Sequence, residues 1–346
     1  MRFFDLEAEC LPIAAKPEVQ ILVRSIEGYR GSNATMPRLK RLNRLHEQSK
    51  RKSTTSSNAI ESIQVSPNRE KELLEDHQSP VSYEDYMLFG YNKALELVFK
   101  TYAFQRLDED FICRLHRVLY EDWNPAFGGV YKKQQNYIVS QDDKGNSRVV
   151  FAPPSPEEVR GLMGNLLYQF DLQMSNPVTD RLVAIANFIL HFVCIHPFSD
   201  GNGRVSRLLT TFLLLKYGYE LDLYYPLSYL ILRHLDGYYD SLYQGGLNWN
   251  EGKNDSTPFV VYLLGRILEG YRKLTYMTSI NGMEGTCPEK VLKAVTDSDL
   301  PISKADLEEI LFRYTRNSIE KALKELLAQK KIRLVQSGRY AKYFRI

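Results

Sequence analysis

Residues 182–195 read LVAIANFILHFVCI, and the next twelve read HPFSDGNGRVSR. Only Asn187 and His191 interrupt the fourteen-residue apolar run, so a helix built from it has almost no polar face and must be enclosed by other elements. The stretch that follows presents an imidazole, a carboxylate, two glycines around an asparagine, and two arginines. Helical periodicity returns at RVSRLLTTFLLLKYGY, which puts a polar loop between two buried helices, the second starting at about Arg204.

The enclosing helices are legible on either side. YEDYMLFGYNKALELVF, DEDFICRLHRVLYED and SPEEVRGLMGNLLYQFDLQM all space apolar residues three and four apart, and two further helical segments are expected at 226–244 and 257–280. Gly128–Pro154, GGVYKKQQNYIVSQDDKGNSRVVFAPP, breaks this pattern with β-branched and aromatic residues. A turn signal at Asp143, Lys144, Gly145 and Asn146 marks a β-hairpin over 129–153 inside a helical domain. Earlier, Ser56 or Ser57 can cap a short polar-faced helix carrying Ile60 and Glu61, and Pro67 with Asn68 can start the next.

At 346 residues there is room for more than one domain. After INGMEGTC the pattern becomes three short helices (PEKVLKAVTD, SKADLEEILF, TRNSIEKALKELLAQK) and two strands (KIRLVQSG, RYAKYFRI), the order of a winged helix. The chain is thus expected to be mainly α, with an N-terminal region 1–80, a helical core 81–282 and a winged-helix module 286–346. The formal net charge of +3 is too small to imply a polyanion partner, but Phe312–Ile346 holds ten Lys or Arg against two Glu, a local balance of +8. Cys10, Cys113, Cys194 and Cys287 form no zinc or redox spacing, and three lie in apolar surroundings that keep them reduced. Asp5, Glu7 and Glu9 stand where a signal peptide needs an apolar stretch, and no apolar run reaches a membrane span. A cytoplasmic setting with no membrane partner is expected.

The polar loop reads as an anion site. Gly201 and Gly203 allow close backbone approach, so amides around Asn202 can converge on phosphate oxygens at a helix N-terminus. Arg204 and Arg207 share a face near that terminus and can reach phosphates. Asp200 is a hard oxygen ligand suited to Mg²⁺, and His196, at the end of the preceding helix, can take a proton from a hydroxyl near neutral pH. The chain lacks GxxxxGK[ST], HExxH, and a GxGxxG that opens a helix after a strand.

HPFSDGNGRVSR resembles the Fic family signature HPFx(D/E)GNGRxxR at every fixed position, and the resemblance extends over roughly residues 50–280. It implies a Fic-type helical core with a β-hairpin flap and, in most of the family, transfer of AMP from ATP to a Ser, Thr or Tyr hydroxyl of a protein. On that resemblance His196 is the base and Asp200 the ligand of Mg²⁺. Gly201, Asn202 and Gly203 form the anion hole, while Arg204 and Arg207 hold the β- and γ-phosphates. The flap edge is Asn136, Tyr137, Ile138 and Val139, along which a target protein docks, the chain itself included; Val139 stands where relatives often have Gly. Tyr238 and Tyr239 are the adenine contacts by alignment with the family's aromatic pair.

SNAIES, Ser57–Ser62, resembles the family's inhibitory motif (S/T)xxxE(G/N), with Ser62 departing at its last position. The resemblance implies that Glu61 pairs with Arg207 and occupies the γ-phosphate place. In some relatives the same glutamate supports AMP removal, and others carry different donors. A rival reading is a DNA-binding regulator with a nucleotide-sensing core. It rests on Arg313, Arg316, Lys321, Lys324, Lys331 and Arg339, although Glu320 and Glu325 interrupt the recognition helix. A protein contact through that module and a homodimer are further options, and His116, His191 and His234 are expected to be structural.

Overall fold

The computed structural model describes residues 5–34, 42–141, 147–338 and 341–346. The apolar run becomes α8 (Arg181–Ile195), started by the Asp180 side chain, which accepts from the Val183 N–H. It stops at His196, which adopts a left-handed conformation (φ 50°) just before Pro197, a residue that cannot continue the helix. The loop then feeds α9 (Asn202–Lys216), which begins two residues earlier than its periodicity suggests because Gly201 serves as the N-cap.

Around this pair lie α1 (Leu6–Ala14), α5 (Tyr83–Thr101), α6 (Glu109–Tyr120), α7 (Pro156–Ser175) and α11 (Leu235–Gly246). α8 packs on α1, α7, α9 and α11, and α9 packs on α5 and α6. Leu190, Phe192, Val205 and Phe212 have no exposed surface, as a helix pair enclosed on all sides requires. α2 (Pro17–Ala34), α3 (Leu42–Ile60), α4 (Pro67–Leu74) and α10 (Leu227–Arg233) complete the helices that precede α12 (Thr257–Gly282). The mainly α expectation holds.

Several local expectations are corrected. Ser56 and Ser57 do not cap a helix; they lie inside the nineteen-residue α3, which ends at Ile60. Within this helix Thr54 Oγ1 donates to the Lys50 carbonyl and Thr55 Oγ1 to the Arg51 carbonyl, so these hydroxyls are spent inside the helix and do not cap it. The expected helix at 226–244 is two, broken at His234, whose φ of −128° is not helical. In the hairpin, β1 (Ile138–Gln141) and β2 (Ser147–Phe151) are antiparallel, with a bulge between Ile138 and Val139. The turn expected at 143–146 lies outside the described residues.

The chain divides into two units; one boundary falls at Gly270–Tyr271 within α12, and the second unit also takes in the start of α3 up to Leu45. The second contains α13 (Cys287–Asp297), β3 (Ile302–Ser303), α14 (Lys304–Ile310), α15 (Arg316–Ala328), β4 (Ile332–Gln336) and β5 (Lys342–Arg345). Its sheet has the order β3, β5, β4, and its core includes Val291, Leu307, Ile319, Leu323 and Ile332. β3 has no counterpart in the sequence reading, being two residues long. Among the described residues no helix is long and apolar enough to cross a membrane.

Buried Asp222, in the 3₁₀ turn Glu220–Leu223, ties α9 to α10 by accepting from Thr211 Oγ1 at 2.8 Å and the Leu227 N–H at 2.6 Å. Burial pushes its carboxyl up to about 6, with those two bonds working against the rise. A carboxyl raised on folding stabilises the fold when protonated, and that contribution is lost as pH rises through about 6. Comparing chemical unfolding at pH 5 and pH 7.5, the native chain should gain stability relative to Asp222→Asn at the lower pH, by about 1–3 kcal/mol. A difference independent of pH would remove Asp222 from this role.

Candidate active site

The end of α8, His196 and the first turns of α9 form one wall of a cavity of about 1130 Å³. The hairpin, α11 and the end of α3 form the others. His196, Gly203, Arg207, Glu61, Tyr137 and Val139 are among its lining residues.

His196 is half-buried, and its Nδ1 lies 3.1 Å from the Val193 carbonyl. A carbonyl only accepts, so Nδ1 carries the hydrogen and Nε2 is left as the basic nitrogen. Burial lowers the imidazole pKa and the charge of Lys132 adds to the effect, while the Val193 bond, Glu61 and Asp200 oppose it. The net shift keeps the ring neutral at neutral pH, the form that can accept a proton.

The loop is held by its own asparagine. Asn202 Oδ1 accepts from the Phe198 N–H at 2.9 Å and its Nδ2 donates to the Phe198 carbonyl at 2.7 Å, so the side chain builds the loop and presents no free amide. Val205 N–H makes the helical bond to the Gly201 carbonyl, which leaves the N–H groups of Asn202, Gly203 and Arg204 ahead of it. Gly201 has φ 78°, and a Cβ there would come within 2.8 Å of the Tyr120 hydroxyl, so no other residue fits without strain.

The two arginines, three residues apart, separate in role. Arg204 is 1% exposed and turns into the packing of α5 and α6, donating to the Tyr120 hydroxyl at 2.6 Å and to Met87 Sδ at 2.9 Å. Tyr120 donates to Asp200 Oδ2 at 2.7 Å, and Arg204 lies 3.4 Å from the same oxygen. Arg204 therefore braces the Asp200 carboxylate from beneath and is absent from the cavity lining. Arg207, 4% exposed, lies in the cavity wall. Its Nε donates to Ser57 Oγ at 2.7 Å, and its terminal NH2 donates to the Ser57 carbonyl at 2.9 Å and to Glu61 Oε1 at 2.7 Å. Burial works against its charge, yet the Glu61 carboxylate holds its pKa above the usual arginine value.

Tyr238 and Tyr239 both line the cavity, but Tyr238 is buried at 4% exposed and only Tyr239 presents much of its ring. The Tyr239 hydroxyl donates to the Ile60 carbonyl at 3.0 Å, closing the end of α3, and burial pushes its pKa up to about 12, with the Glu61 charge adding. Tyr137 and Val139 are more than half exposed, and Asn136 Nδ2 donates to the Phe198 carbonyl at 3.0 Å. β1 pairs with β2 on one side, which leaves its other edge unpaired within this two-stranded sheet.

Two supporting residues escape a reading of motifs alone. His116 accepts the Gly129 N–H on Nδ1 and donates from Nε2 to the Asp200 carbonyl; burial brings its pKa down to about 4, so it is a neutral brace. Tyr120 carries the contacts to Asp200 and Arg204. Their only signal was position on the buried stripe of α6. Among the described residues no group of three or more His, Cys, Asp or Glu is placed to hold a metal ion. The exposed Asp200 carboxylate, with one oxygen on Tyr120, suits an ion whose other ligands are phosphate oxygens and water, as Mg²⁺ requires.

In the second unit, Arg316 pairs with Glu320 and Glu308, and Arg313 donates to the Asn281 carbonyl. Lys321, Lys324 and Lys331 are exposed, and Arg339 lies outside the described residues.

A Cβ on Gly203 would collide with Glu61 Oε1, so the glycine is the space through which that carboxylate reaches Arg207. Gly203→Ala should therefore displace the Glu61 carboxylate, costing up to about 1 kcal/mol in the native chain, and should be neutral or stabilising in Glu61→Gly. In a double-mutant cycle of unfolding free energies the two changes should couple by about 1 kcal/mol or more. Additive costs would place the carboxylate elsewhere.

Residues 106–214 match the model of the Fic/DOC family. The protein adenylyltransferase Fic of Culex quinquefasciatus is 33% identical over 155 residues, covering 44% of this chain and 26% of that protein. The protein of the same name from Nematostella vectensis is 27% identical over 217 residues, 60% of this chain and 44% of that protein. The chain thus spans about a quarter of the length of the first of these relatives. A similar fold occurs in a Fic family protein from Desulfovibrio desulfuricans G20, with a TM-score of 0.59 at 22% identity over 96% of both chains. It occurs again in a Fic domain containing signaling protein from Bacteroides thetaiotaomicron VPI-5482, with a TM-score of 0.62 at 23% identity over 76% of this chain and all of that one. Signature, helical fold and family match coincide in one stretch of this chain: residues 106–214 carry a Fic/DOC family domain.

Proposed function

We propose that the chain is a protein adenylyltransferase that moves AMP from ATP to a Ser, Thr or Tyr hydroxyl of a protein, and that Glu61 restrains it. The observation that carries this reading is the meeting, in one cavity, of a neutral imidazole with its Nε2 uncommitted, a helix N-terminus and the Arg207–Glu61 pair. The names of the Culex and Nematostella relatives support the donor chemistry.

In this mechanism the target's main chain pairs with the open edge of β1, which presents its hydroxyl to His196 without reading much sequence. Nε2 takes the hydroxyl proton as the oxygen attacks the α-phosphorus. The bond from that phosphorus to the bridging oxygen breaks, and pyrophosphate leaves with its electron pair. The amides at the start of α9 and the Arg207 guanidinium balance charge on the phosphates. Asp200, braced by Tyr120 and Arg204, would hold a Mg²⁺ ion, which supplies charge neutralisation across the phosphates. With Glu61 on Arg207, one phosphate ligand is occupied and a negative charge stands beside the triphosphate, so ATP is held in a pose unfit for in-line attack.

The second unit is read as a winged helix, with α15 as its third helix and β4–β5 as the wing. It serves this reading as an accessory module, and a cytoplasmic site of action is part of the reading.

The test follows label from α- and γ-labelled ATP into protein with the native chain, Glu61→Gly, and Glu61→Gly combined with His196→Ala. Label should come from the α position alone, rise about tenfold or more with Glu61→Gly, fall about 10²–10⁴-fold with the added His196→Ala change, and vanish with a Mg²⁺ chelator. ATP binding with no α-label in any form would reject AMP transfer and favour another donor or a nucleotide-sensing role.

A further inference from the structure

At the root of the hairpin a lysine is buried where the transfer chemistry assigns no cation. Lys132 is 3% exposed. Its backbone N–H donates to the Pro197 carbonyl at 2.9 Å, and its Nζ donates to Asn136 Oδ1 at 2.8 Å. Asn136 passes the contact on through Nδ2 to the Phe198 carbonyl, the oxygen that also takes Asn202 Nδ2. One unbroken series of bonds therefore joins the ammonium, the residue just before the β1 edge, and the loop that carries His196. A buried ammonium is costly unless its neighbours use it.

We propose that Lys132 is a positioning residue of this site: its ammonium locks Asn136, and with it the start of β1, onto the His196 loop, and it sets a positive charge beside that imidazole. The inference rests on the reading of His196 as the base. The charged groups acting on the imidazole are Lys132 from the hairpin root, Glu61 from the end of α3 and Asp200 from its own loop. Of these, only Lys132 favours the neutral ring. Lys132 in turn feels Glu158 near the start of α7, and burial brings its own pKa down to about 8. The lysine thus performs two functions that different substitutions separate: it fixes where the hydroxyl is delivered, and it keeps the base unprotonated.

The experiment uses the full chain carrying Glu61→Gly, with Lys132→Met, Lys132→Arg or Asn136→Ala added. The His196 imidazole is titrated by NMR, its signals assigned by their loss in His196→Ala, and AMP transfer is measured alongside. Lys132→Met should raise the His196 midpoint by about half a pH unit or more. It should also lower kcat about tenfold or more, with KM for ATP within about twofold. Lys132→Arg should restore the midpoint, and Asn136→Ala should lower kcat with the midpoint unmoved. A parental midpoint in folded Lys132→Met overturns the proposal, as does kcat within about twofold of the parent in Asn136→Ala; the latter decides alone if Lys132→Met does not fold. A shifted midpoint with no transfer in any variant, the parent included, rejects the AMP-transfer reading and leaves the Lys132 assignment standing.

Discussion

A guanidinium enclosed in a helical core must have an anion, and Arg207 organises the site through that requirement. A buried arginine left unpaired costs several kcal/mol, so the fold has to bring a partner to it. That partner is the end of α3: two oxygens of Ser57 and the Glu61 carboxylate converge on the guanidinium. The position of α3 along α9 follows, because Ser57 and Glu61 lie four residues apart and both must face Arg207. Gly203 keeps the approach open, and Tyr239 closes the helix end by bonding the Ile60 carbonyl. A phosphate could satisfy the same guanidinium. The proposed restraint is therefore an exchange of one anion for another on the same guanidinium, which Ser57 continues to bond when Glu61 leaves.

The legibility of the site follows from the range of the forces involved. That His196, Asp200 and the glycines share one loop between two buried helices was readable, because local backbone geometry sets it. The difference between Arg204 and Arg207 was not readable. Spacing shows that they share a face, but only the packing of α5 and α6 decides that Arg204 turns inward to Tyr120. The use of the Asn202 side chain was not readable either: it is consumed by the Phe198 backbone. The serines of α3 misled because local propensity treats hydroxyls as caps, whereas Ser49, Ser53 and Ser57 bond to Asp222, Ser228 and Arg207 on other elements. The break at His234 and the two-residue β3 leave too little periodic signal to be seen. Buried helices dominate the fold, and their long apolar patterns are what a sequence shows best.

The loop also depends on groups with no part in the chemistry. His116 is neutral because burial excludes its charge, and so it can accept from Gly129 on one nitrogen and donate to the Asp200 carbonyl on the other. Phe198 stacks on that ring at 3.9 Å. Hairpin root, loop and α6 are thereby joined through one imidazole, which explains how a loop with two glycines can hold a defined shape.

The charge state of His196 links the two ends of the cavity. Its ring is pushed toward neutrality by burial and by Lys132, and pulled the other way by Glu61 and Asp200. Removing Glu61 from Arg207 removes one of the two carboxylates that favour the imidazolium, so the released site has a base that stays neutral to lower pH. On the proposed function, an incoming triphosphate would restore negative charge to the same region and make the imidazole a better proton acceptor when the donor is in place. On that reading the basicity needed for attack is supplied in part by the substrate, and the Arg207 pocket and the His196 loop act as one electrostatic unit, with Arg207 standing about one and a half turns into α9.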